Sequence, residues 1–236
     1  EFQPEMWALT AVASQFSFIS KIAAMLKEKM PSAYIVLGGH HASLSTESCV
    51  EDPSFDAICI GEGDLAIKEL VAQLEEKREP SGIKNLWIRK KDGTIEKNLQ
   101  NSFIADLNQF PFPDREMWQK WMLMPDFEPS VLISRGCPYV CTYCANHAMA
   151  KLADGKYVRY RSPENIVEEI RTIVNRSPGV KRIYLEAETF GADLRMTFKI
   201  CEALEKFNQT LKTPLEYFAN FTLVKVVSTN TQLLEA

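Results

Sequence analysis

Residues 135–144 read RGCPYVCTYC and follow the apolar run VLI at residues 131–133. A strand that ends near this glycine would place the thiols of Cys137, Cys141 and Cys144 on one short loop. Three thiolates can hold a [4Fe–4S] cluster and leave its fourth iron without a protein ligand, whereas ordinary electron-transfer clusters are held by four thiolates. The spacing C-x3-C-x2-C therefore predicts a cluster with an open coordination site, at which a small molecule can bind.

Two other interpretations of these cysteines stay open. His147 follows Cys144 by three residues, so the loop offers four nominal ligands to zinc, although structural zinc sites usually come as two knuckles separated by a longer loop. A disulfide with one spare thiol would suit a secreted protein, yet the start of the chain does not read as a signal peptide. We favour the cluster over zinc and over unliganded thiols.

Composition and charge argue against several classes of protein. The chain has 236 residues, 46% of them hydrophobic and 25% charged, as in soluble globular proteins. The net charge of -4 argues against nucleic-acid binding by bulk electrostatics. No run of the sequence approaches the about 20 apolar residues of a membrane helix. We therefore expect no membrane span and no nucleic-acid partner. Because six cysteines suit a reducing compartment, we also expect a cytoplasmic protein.

Strand and helix patterns alternate through the first part of the chain. Apolar runs predict strands at residues 7–12, 34–37 and 56–60, and helical spacing predicts helices at residues 16–30 and 64–76, the second capped by Asp64. This alternation predicts parallel pairing in a doubly wound sheet, in which ligands bind beyond the carboxyl ends of the strands. Glycine clusters follow the second and third strands, so both lie where a ligand is expected.

The rest of the chain predicts a hairpin, a linker and a second α/β region. Asp92-Gly93 predicts a hairpin between residues 86–89 and 94–97, and the stretch 106–129 is rich in proline and aromatic residues. From residue 130 onward the order is strand, helix, strand, helix, strand, which matches the first half of a partial (β/α) barrel. The predicted elements after the cysteine loop are a helix that begins at Ser162-Pro163, a strand at 182–186, a helix at 193–207 and a strand at 216–220.

The cysteine loop, with Tyr143 directly before its last cysteine, resembles the signature of the radical S-adenosylmethionine (SAM) superfamily. The resemblance implies that Cys137, Cys141 and Cys144 hold the [4Fe–4S] cluster and that the amino and carboxylate groups of SAM bind its open iron. It also implies that the reduced cluster cleaves SAM to methionine and a 5′-deoxyadenosyl radical. Tyr143 is expected near the adenine of SAM, and the alternative is an ordinary packing aromatic.

Polar residues on two later strands are further candidates for binding SAM. The run EAETF at residues 186–190 resembles the Asp-Asp-x-Phe version of the cobalamin-linked members, with both acids lengthened to Glu. Glu186 and Glu188 share one face of a strand, and we favour Glu188 for the methionyl amine because it lies nearer the end of the strand. The alternative is a solvated acidic loop. Asn220, at the end of the third strand, is expected either to contact SAM or to cap a turn.

The first part of the chain resembles the cobalamin-binding domain of the B12-dependent branch of that superfamily. The resemblance rests on the run VLGGHHAS at residues 36–43 and the run IGEG at residues 60–63. Glycines let the backbone approach a bulky nucleotide tail, and exposed amides can bind its phosphate. An axial histidine for cobalt would come from an Asp-x-His-x-x-Gly loop, which this sequence lacks, so we expect His41 to hydrogen-bond near the start of the following helix. The residues implied to bind cobalamin are Thr10, Gly38, Gly39, His41, Gly61, Glu62 and Gly63.

These observations predict an α/β protein with a doubly wound, Rossmann-like cobalamin-binding domain followed by the first half of a partial (β/α) radical SAM barrel. We expect the cobalamin-binding domain at residues 1–105, the linker at 106–129 and the barrel at 130–236. We also expect that the N-terminal part of the first domain and the C-terminal part of the barrel lie beyond this sequence. The resemblance implies a methyltransferase that acts on a small biosynthetic intermediate, uses methylcobalamin as the methyl donor and takes electrons from a flavodoxin or ferredoxin. A non-methylating enzyme that closes or rearranges rings is one alternative, and a non-catalytic module that binds cobalamin or the cluster is another. No residue is singled out as a catalytic acid or base.

Overall fold

The computed structural model describes residues 4–121 and 128–221. The chain divides into two compact units, of which the first comprises Glu1–Phe103 with Val140–Gly155 and the second comprises Ile104–Tyr139 with Lys156–Ala236. The domain limits proposed from the sequence stay predictions. Part of the predicted linker, residues 122–127, and the last part of the predicted barrel, residues 222–236, lie outside the described residues.

A five-stranded sheet forms the centre of the first unit, and its strands follow one another in chain order. The first three strands pair in parallel, and the last two are antiparallel. The predicted parallel strands and the predicted hairpin are therefore both confirmed. At the turn of the hairpin Gly93 has a φ of 85°, and Asp92 Oδ1 accepts a hydrogen bond from Thr94 N at 2.9 Å. The strands are β1 (Met6–Thr10), β2 (Tyr34–Gly38), β3 (Ala57–Cys59), β4 (Leu86–Arg89) and β5 (Ile95–Lys97).

Helices cover both faces of this sheet, as in a doubly wound fold. They are α1 (Phe16–Lys29), α2 (Gly39–Leu44), α3 (Thr46–Glu51) and α4 (Asp64–Glu75). Alternate residues of β2 point to opposite faces, so Ile35 and Leu37 pack in one cluster with residues of α1, α2 and α3, whereas Val36 packs with residues of α4. The prediction that Asp64 caps α4 is wrong, because Gly63 occupies the N-cap and Asp64 is the first helical residue.

The later elements follow the predicted order of strand and helix. They are α5 (Glu116–Gln119), β6 (Ser130–Leu132), β7 (Ser134–Arg135), α6 (Asn146–Met149), β8 (Arg159–Tyr160), α7 (Pro163–Arg176), β9 (Arg182–Phe190), α8 (Leu194–Asn208) and β10 (Glu216–Phe221). The helix α6 belongs to the first unit and the others to the second. The predicted start of α7 is confirmed, since Ser162 Oγ accepts a hydrogen bond from Asn165 N at 3.2 Å and Pro163 is the first helical residue.

The strands β6, β9 and β10 form a parallel sheet in the order β10-β9-β6, and β7 pairs with β8. The apolar faces of α7 and α8 pack on this sheet around Val131, Ile170, Ile183 and Leu204. Within the described residues the sheet has three parallel strands, which agrees with the opening of a barrel but not with a closed one. Across residues 4–121 and 128–221, none of the helices has the length and apolar character needed to cross a bilayer.

Part of the predicted linker packs on the second unit. Asn108 Oδ1 accepts a hydrogen bond from Ser162 N at 2.9 Å. The guanidinium of Arg135 lies 5.2 Å from the ring centre of Phe110, and that of Arg161 lies 5.4 Å from the ring centre of Phe112. Residues 108–112 therefore contact both the start of α7 and the strand that leads into the cysteine loop.

Candidate functional site

The carboxyl ends of β1 and β2 meet at a glycine that no other residue could replace without strain. Thr10 pairs with Gly38 at the last position of both strands. Gly39 has a φ of 91°, and a Cβ added there would lie 2.5 Å from Thr10 Oγ1 and 2.9 Å from the carbonyl oxygen of Ala11. The absence of a side chain lets the backbone at residues 38–39 lie directly against the end of β1. This edge of the sheet therefore presents main-chain groups, which suits the approach of a large ligand.

The second glycine cluster is joined to the first by a serine. Gly61 has a φ of 76°, and its amide donates a hydrogen bond of 2.9 Å to Ser43 Oγ. The same hydroxyl donates to the carbonyl oxygen of Gly39 at 2.9 Å. Because Ser43 is buried, little water competes for these bonds. The glycines after β2 and β3 are thus held together as one cradle, with Glu62 half-buried between Gly61 and Gly63.

His41 lies in this cradle, in the first turn of α2. Its amide donates to the carbonyl oxygen of Ala11 at 3.0 Å, and its ring centre lies 4.4 Å from that of Phe16. The ring atom Nε2 is buried and has no hydrogen-bond partner among the described residues. Leaving a buried polar atom unpaired costs about 1–3 kcal/mol, so a ligand with a hydrogen-bonding group would relieve it. The cradle and this atom fit the binding of cobalamin.

The cysteine loop begins at Gly136, whose backbone lies directly against the main chain of Tyr157. Gly136 has a φ of 84°, and a Cβ there would lie 2.4 Å from the carbonyl oxygen of Tyr157. Only glycine fits between β7 and that carbonyl, so the direction in which the chain enters the loop is fixed. The amide of Cys144 donates to the carbonyl oxygen of Cys141 at 3.1 Å, which forms a turn between the last two thiols.

The thiols of Cys137, Cys141 and Cys144 are half-buried, and none of them forms a disulfide. In the parts of the chain that the structure describes, no three His, Cys, Asp or Glu side chains are grouped as ligands of a metal ion. Iron–sulfur clusters take thiolate ligands, and these three thiols come from eight consecutive residues, so the chemistry of the donor set fits a cluster. Tyr143 is 91% exposed, which leaves its ring open to stack on a planar group.

A tyrosine that the sequence did not single out also lies near the first thiol. Tyr160, on β8, pairs with Ser134 of β7. Burial, then the charge of Asp193 and more weakly those of Cys137 and Tyr139, raise the pKa of Tyr160 above its ordinary value of 10.0. Tyr160 is therefore a neutral phenol at neutral pH and adds no charge to the surroundings of the thiol.

The two glutamates lie within β9 and not after it, because this strand runs on to Phe190. Glu186 and Glu188 are both exposed on one face of the strand, whereas Ala187 and Thr189 are buried on the other. The prediction that the two carboxylates share a face is confirmed. The main chain of Glu186 accepts a hydrogen bond from Ile133 N at 2.9 Å, which joins this part of β9 to the strand that leads into the cysteine loop.

Asn220 lies opposite an irregularity in the pairing of β9 with β10. Ala219 pairs with Leu185 and Phe221 pairs with Phe190, so residues 186–189 bulge out of the ladder beside Asn220. Such bulges re-aim side chains and are frequent next to active sites. Asn220 is exposed at the second-last position of β10, and residues 222–236 lie outside the described residues, so contact with SAM and capping of a turn both stay predictions.

Comparison with known proteins identifies the two parts of the chain. The chain combines a glycine cradle on a doubly wound sheet with a loop that carries three cysteines, and these two sets of groups suit two different cofactors. The family model of the B12 binding domain matches residues 1–71, and that of the Radical SAM superfamily matches residues 131–223. The chain therefore combines a B12-binding domain with a domain of the radical SAM superfamily.

Relatives of this chain are named for different reactions. An uncharacterized methyltransferase of Pyrococcus horikoshii is 30% identical over 193 residues, which are 80% of this chain and 41% of that protein. An anaerobic magnesium-protoporphyrin IX monomethyl ester cyclase of Synechocystis sp. is 25% identical over 198 residues, which are 81% of this chain and 38% of that protein. The chain therefore spans less than half the length of these relatives.

A solved structure shares the fold. The cobalamin-dependent SAM radical enzyme OxsB, with aqua-cobalamin and SAM bound, superposes with a TM-score of 0.69 at 20% identity. The superposition covers 91% of this chain and 30% of that one. It extends over both units, so the order of a B12-binding fold followed by a radical SAM fold is shared.

Proposed function

We propose that this chain is the cofactor-binding part of a cobalamin-dependent radical SAM methyltransferase. The observation that carries the proposal is the loop with Cys137, Cys141 and Cys144, whose three thiols leave one iron of a cluster open to SAM. The glycine cradle in the preceding unit and the methyltransferase of P. horikoshii support the choice of methyl transfer.

The cobalamin would lie against the carboxyl edge of the first sheet. Thr10, Gly38 and Gly39 form one side of the cradle, and residues 61–63 form the other. Backbone amides that are free of bulky side chains can bind the phosphate and carbonyl groups of the nucleotide tail. The buried Nε2 of His41 would hydrogen-bond to a polar group of the cofactor.

Residues of the cysteine loop and residues of β9 each offer groups that suit SAM. The exposed ring of Tyr143 can stack on adenine. The exposed carboxylates of Glu186 and Glu188 can accept hydrogen bonds from the methionyl ammonium, and the exposed amide of Asn220 lies beside them in the register of the sheet. When bound, the reduced cluster supplies an electron to SAM, and methylcobalamin supplies the methyl group.

The proposal also covers the substrate, the electron donor and the compartment. The substrate is a small molecule, and the electron comes from a low-potential donor such as a flavodoxin or ferredoxin. Because the thiolates have to stay reduced until iron binds them, the reaction takes place in a reducing compartment such as the cytoplasm.

The test is anaerobic reconstitution of the whole protein with iron and sulfide, with and without added cobalamin. We expect the visible absorbance of an iron–sulfur cluster and retained corrinoid bands. The cluster absorbance disappears when Cys137, Cys141 and Cys144 are changed to Ala, whereas it persists in Cys201→Ala, a half-buried cysteine of α8. Bound zinc in place of iron contradicts the proposal. Iron without corrinoid bands contradicts its cobalamin half.

A second candidate function is ring closure without methyl transfer, which the cyclase of Synechocystis sp. favours. Product analysis separates the two reactions. Methyl transfer releases S-adenosylhomocysteine together with 5′-deoxyadenosine, whereas a cyclase releases 5′-deoxyadenosine alone. A protein that releases neither compound is a binding module without turnover.

A further inference from the structure

The side chain of Asn146 contacts a thiol of the cysteine loop. Its Nδ2 lies 3.5 Å from Cys144 Sγ, within hydrogen-bond distance for sulfur. Asn146 is the first residue of α6 and is only 7% exposed, although asparagine is mostly found at the surface. The buried side-chain amide of Asn146 therefore lies beside a thiol that is assigned to the cluster.

Capping of the helix does not explain this side chain. The N-cap of α6 is Ala145, and no side chain makes a capping hydrogen bond at this end. The main chain of Asn146 is instead held inside the helix, since its carbonyl oxygen accepts a hydrogen bond from Ala150 N at 2.9 Å. The helix α6 also packs beside α2 within the first unit. The side chain therefore approaches the sulfur from a short helix that packs on α2.

The chemistry of a thiolate decides which end of the amide faces it. A thiolate can only accept a hydrogen bond, so the N–H group of the amide has to be directed at the sulfur. In a buried position with little competing water, this bond strengthens. Hydrogen bonds to the sulfur ligands are one of the factors that set the reduction potential of an iron–sulfur cluster. Reduction adds one negative charge to the cluster, and a donor at the thiolate stabilises that charge.

We propose that Asn146 raises the reduction potential of the cluster by donating its side-chain N–H to the thiolate of Cys144. The proposal rests on the cluster assigned above to the three cysteines. Asn146 acts through Cys144 and touches neither SAM nor the substrate in this role, so it is a positioning residue. Its effect would be to make the one-electron reduction of the cluster easier for a biological donor.

The test compares two variants of Asn146 in the reconstituted protein. Asn146→Leu has nearly the same shape and no donor, and Asn146→Asp places an acceptor where the donor was. The control Asn175→Asp makes the same change in charge at an exposed position of α7. Each protein is titrated with dithionite, which supplies one electron to the cluster, and the reduced cluster is counted by electron paramagnetic resonance.

We expect the ratio of reduced to oxidised cluster, at the midpoint potential of the unaltered protein, to fall about tenfold in Asn146→Leu, which corresponds to about 59 mV for one electron. Asn146→Asp should show a larger fall, and Asn175→Asp no change. Iron and sulfide contents should be equal in all four proteins.

Three outcomes separate this proposal from the assignment of the cluster. If the unaltered protein binds no iron, the cluster assignment itself fails. If it binds iron and both Asn146 variants keep its midpoint potential, the assignment stands and the role of Asn146 is refuted. A variant that loses its iron also counts against the proposal, because a bond that only tunes the potential leaves the thiol ligands in place.

Discussion

The amide of Gly61 donates a hydrogen bond of 2.9 Å to the hydroxyl of Ser43, so a residue after β3 is held by a residue of α2. The hydroxyl also donates to the carbonyl oxygen of Gly39 at 2.9 Å. Two glycine loops that are separate in the sequence therefore depend on one buried side chain. Disturbing Ser43 should affect both loops together.

Ser43→Ala should destabilise the first unit by about 1–3 kcal/mol, because the half-buried amide of Gly61 loses its partner. Urea denaturation measures this loss, and titration with cobalamin should show weaker binding by the folded variant. The control is Ser48→Ala, whose exposed hydroxyl donates to the carbonyl oxygen of Ser45 at 2.9 Å. That variant should change stability by at most about 0.5 kcal/mol. Equal effects of the two substitutions would contradict a special role for Ser43.

Gly39→Ala should destabilise the protein more than Gly82→Ala does. Both glycines have positive φ, 91° and 70°, so alanine costs about 1–2 kcal/mol of backbone energy at either site. At Gly82 nothing lies within 4 Å of the added Cβ, whereas at Gly39 it meets Thr10 Oγ1 at 2.5 Å. The clash should add about 1–3 kcal/mol, as overpacking does elsewhere. Denaturation of both variants tests the difference, and a smaller loss at Gly39 would refute the close approach.

Glu169→Ala should be among the most destabilising single changes in the second unit. Glu169 is 1% exposed and pairs with Arg161 and, at 2.5 Å, with Arg115. Removing it leaves the buried Arg161 without its carboxylate, a change that typically costs about 3–5 kcal/mol. The two arginines also bind the carbonyl oxygens of Leu132 and Ser130, so β6 should loosen as well.

The matched control for this prediction is the neighbouring residue of α7. Glu168 pairs with Arg171 at 3.3 Å on the exposed side of the helix. An exposed pair of this kind contributes at most about 1 kcal/mol, so Glu168→Ala should be nearly neutral. The free energy of unfolding of both variants is measured by denaturation. Equal losses in the two would show that burial of Glu169 has no energetic consequence.

The stability of the first unit should fall as the pH drops from 4.5 towards 2. Burial alone would raise the pKa of Glu96, but hydrogen bonds from Lys90, Gly82, Asn98 and Ser81 lower it from 4.5 to about 2. A carboxyl with a lowered pKa stabilises the native state above its unfolded pKa, and this contribution is lost as pH falls through the folded value. Glu96→Gln should therefore flatten the dependence of the unfolding free energy on pH in this window. A slope equal to that of the unaltered protein would contradict the prediction.

The alternation of strands and helices could be predicted from the sequence because it depends on local periodicity. The apolar runs at residues 34–37 and 182–186 and the Ser162-Pro163 start all lie within elements of the predicted type. The end of β9 was missed because its last residue, Phe190, pairs with Phe221 of β10, a contact that no local pattern encodes. The N-cap of α4 was missed because Asp is usually preferred to Gly as a capping residue. The helix begins one residue earlier than this preference predicts, with Gly63 at the N-cap and Asp64 as the first helical residue.

The residues of the candidate site also differ in whether the sequence alone could reveal them. The three cysteines and the glycine clusters stand in compact runs that the sequence alone displays. Ser43 and Asn146 could not be singled out, because their importance lies in contacts with Gly61 and Cys144 that appear only in the folded chain. Glu169 did leave a signal, since it lies on the apolar face of α7 with Ile166 and Ile173, where a charge is out of place.

The contact between Gly136 and Tyr157 also bears on how a cluster would be assembled. Because the backbone at Gly136 is already fixed against a carbonyl oxygen in the folded chain, its conformational entropy is lost during folding and not when iron arrives. The first thiol of the loop stands one residue from this fixed point, so fewer degrees of freedom would oppose the binding of a cluster.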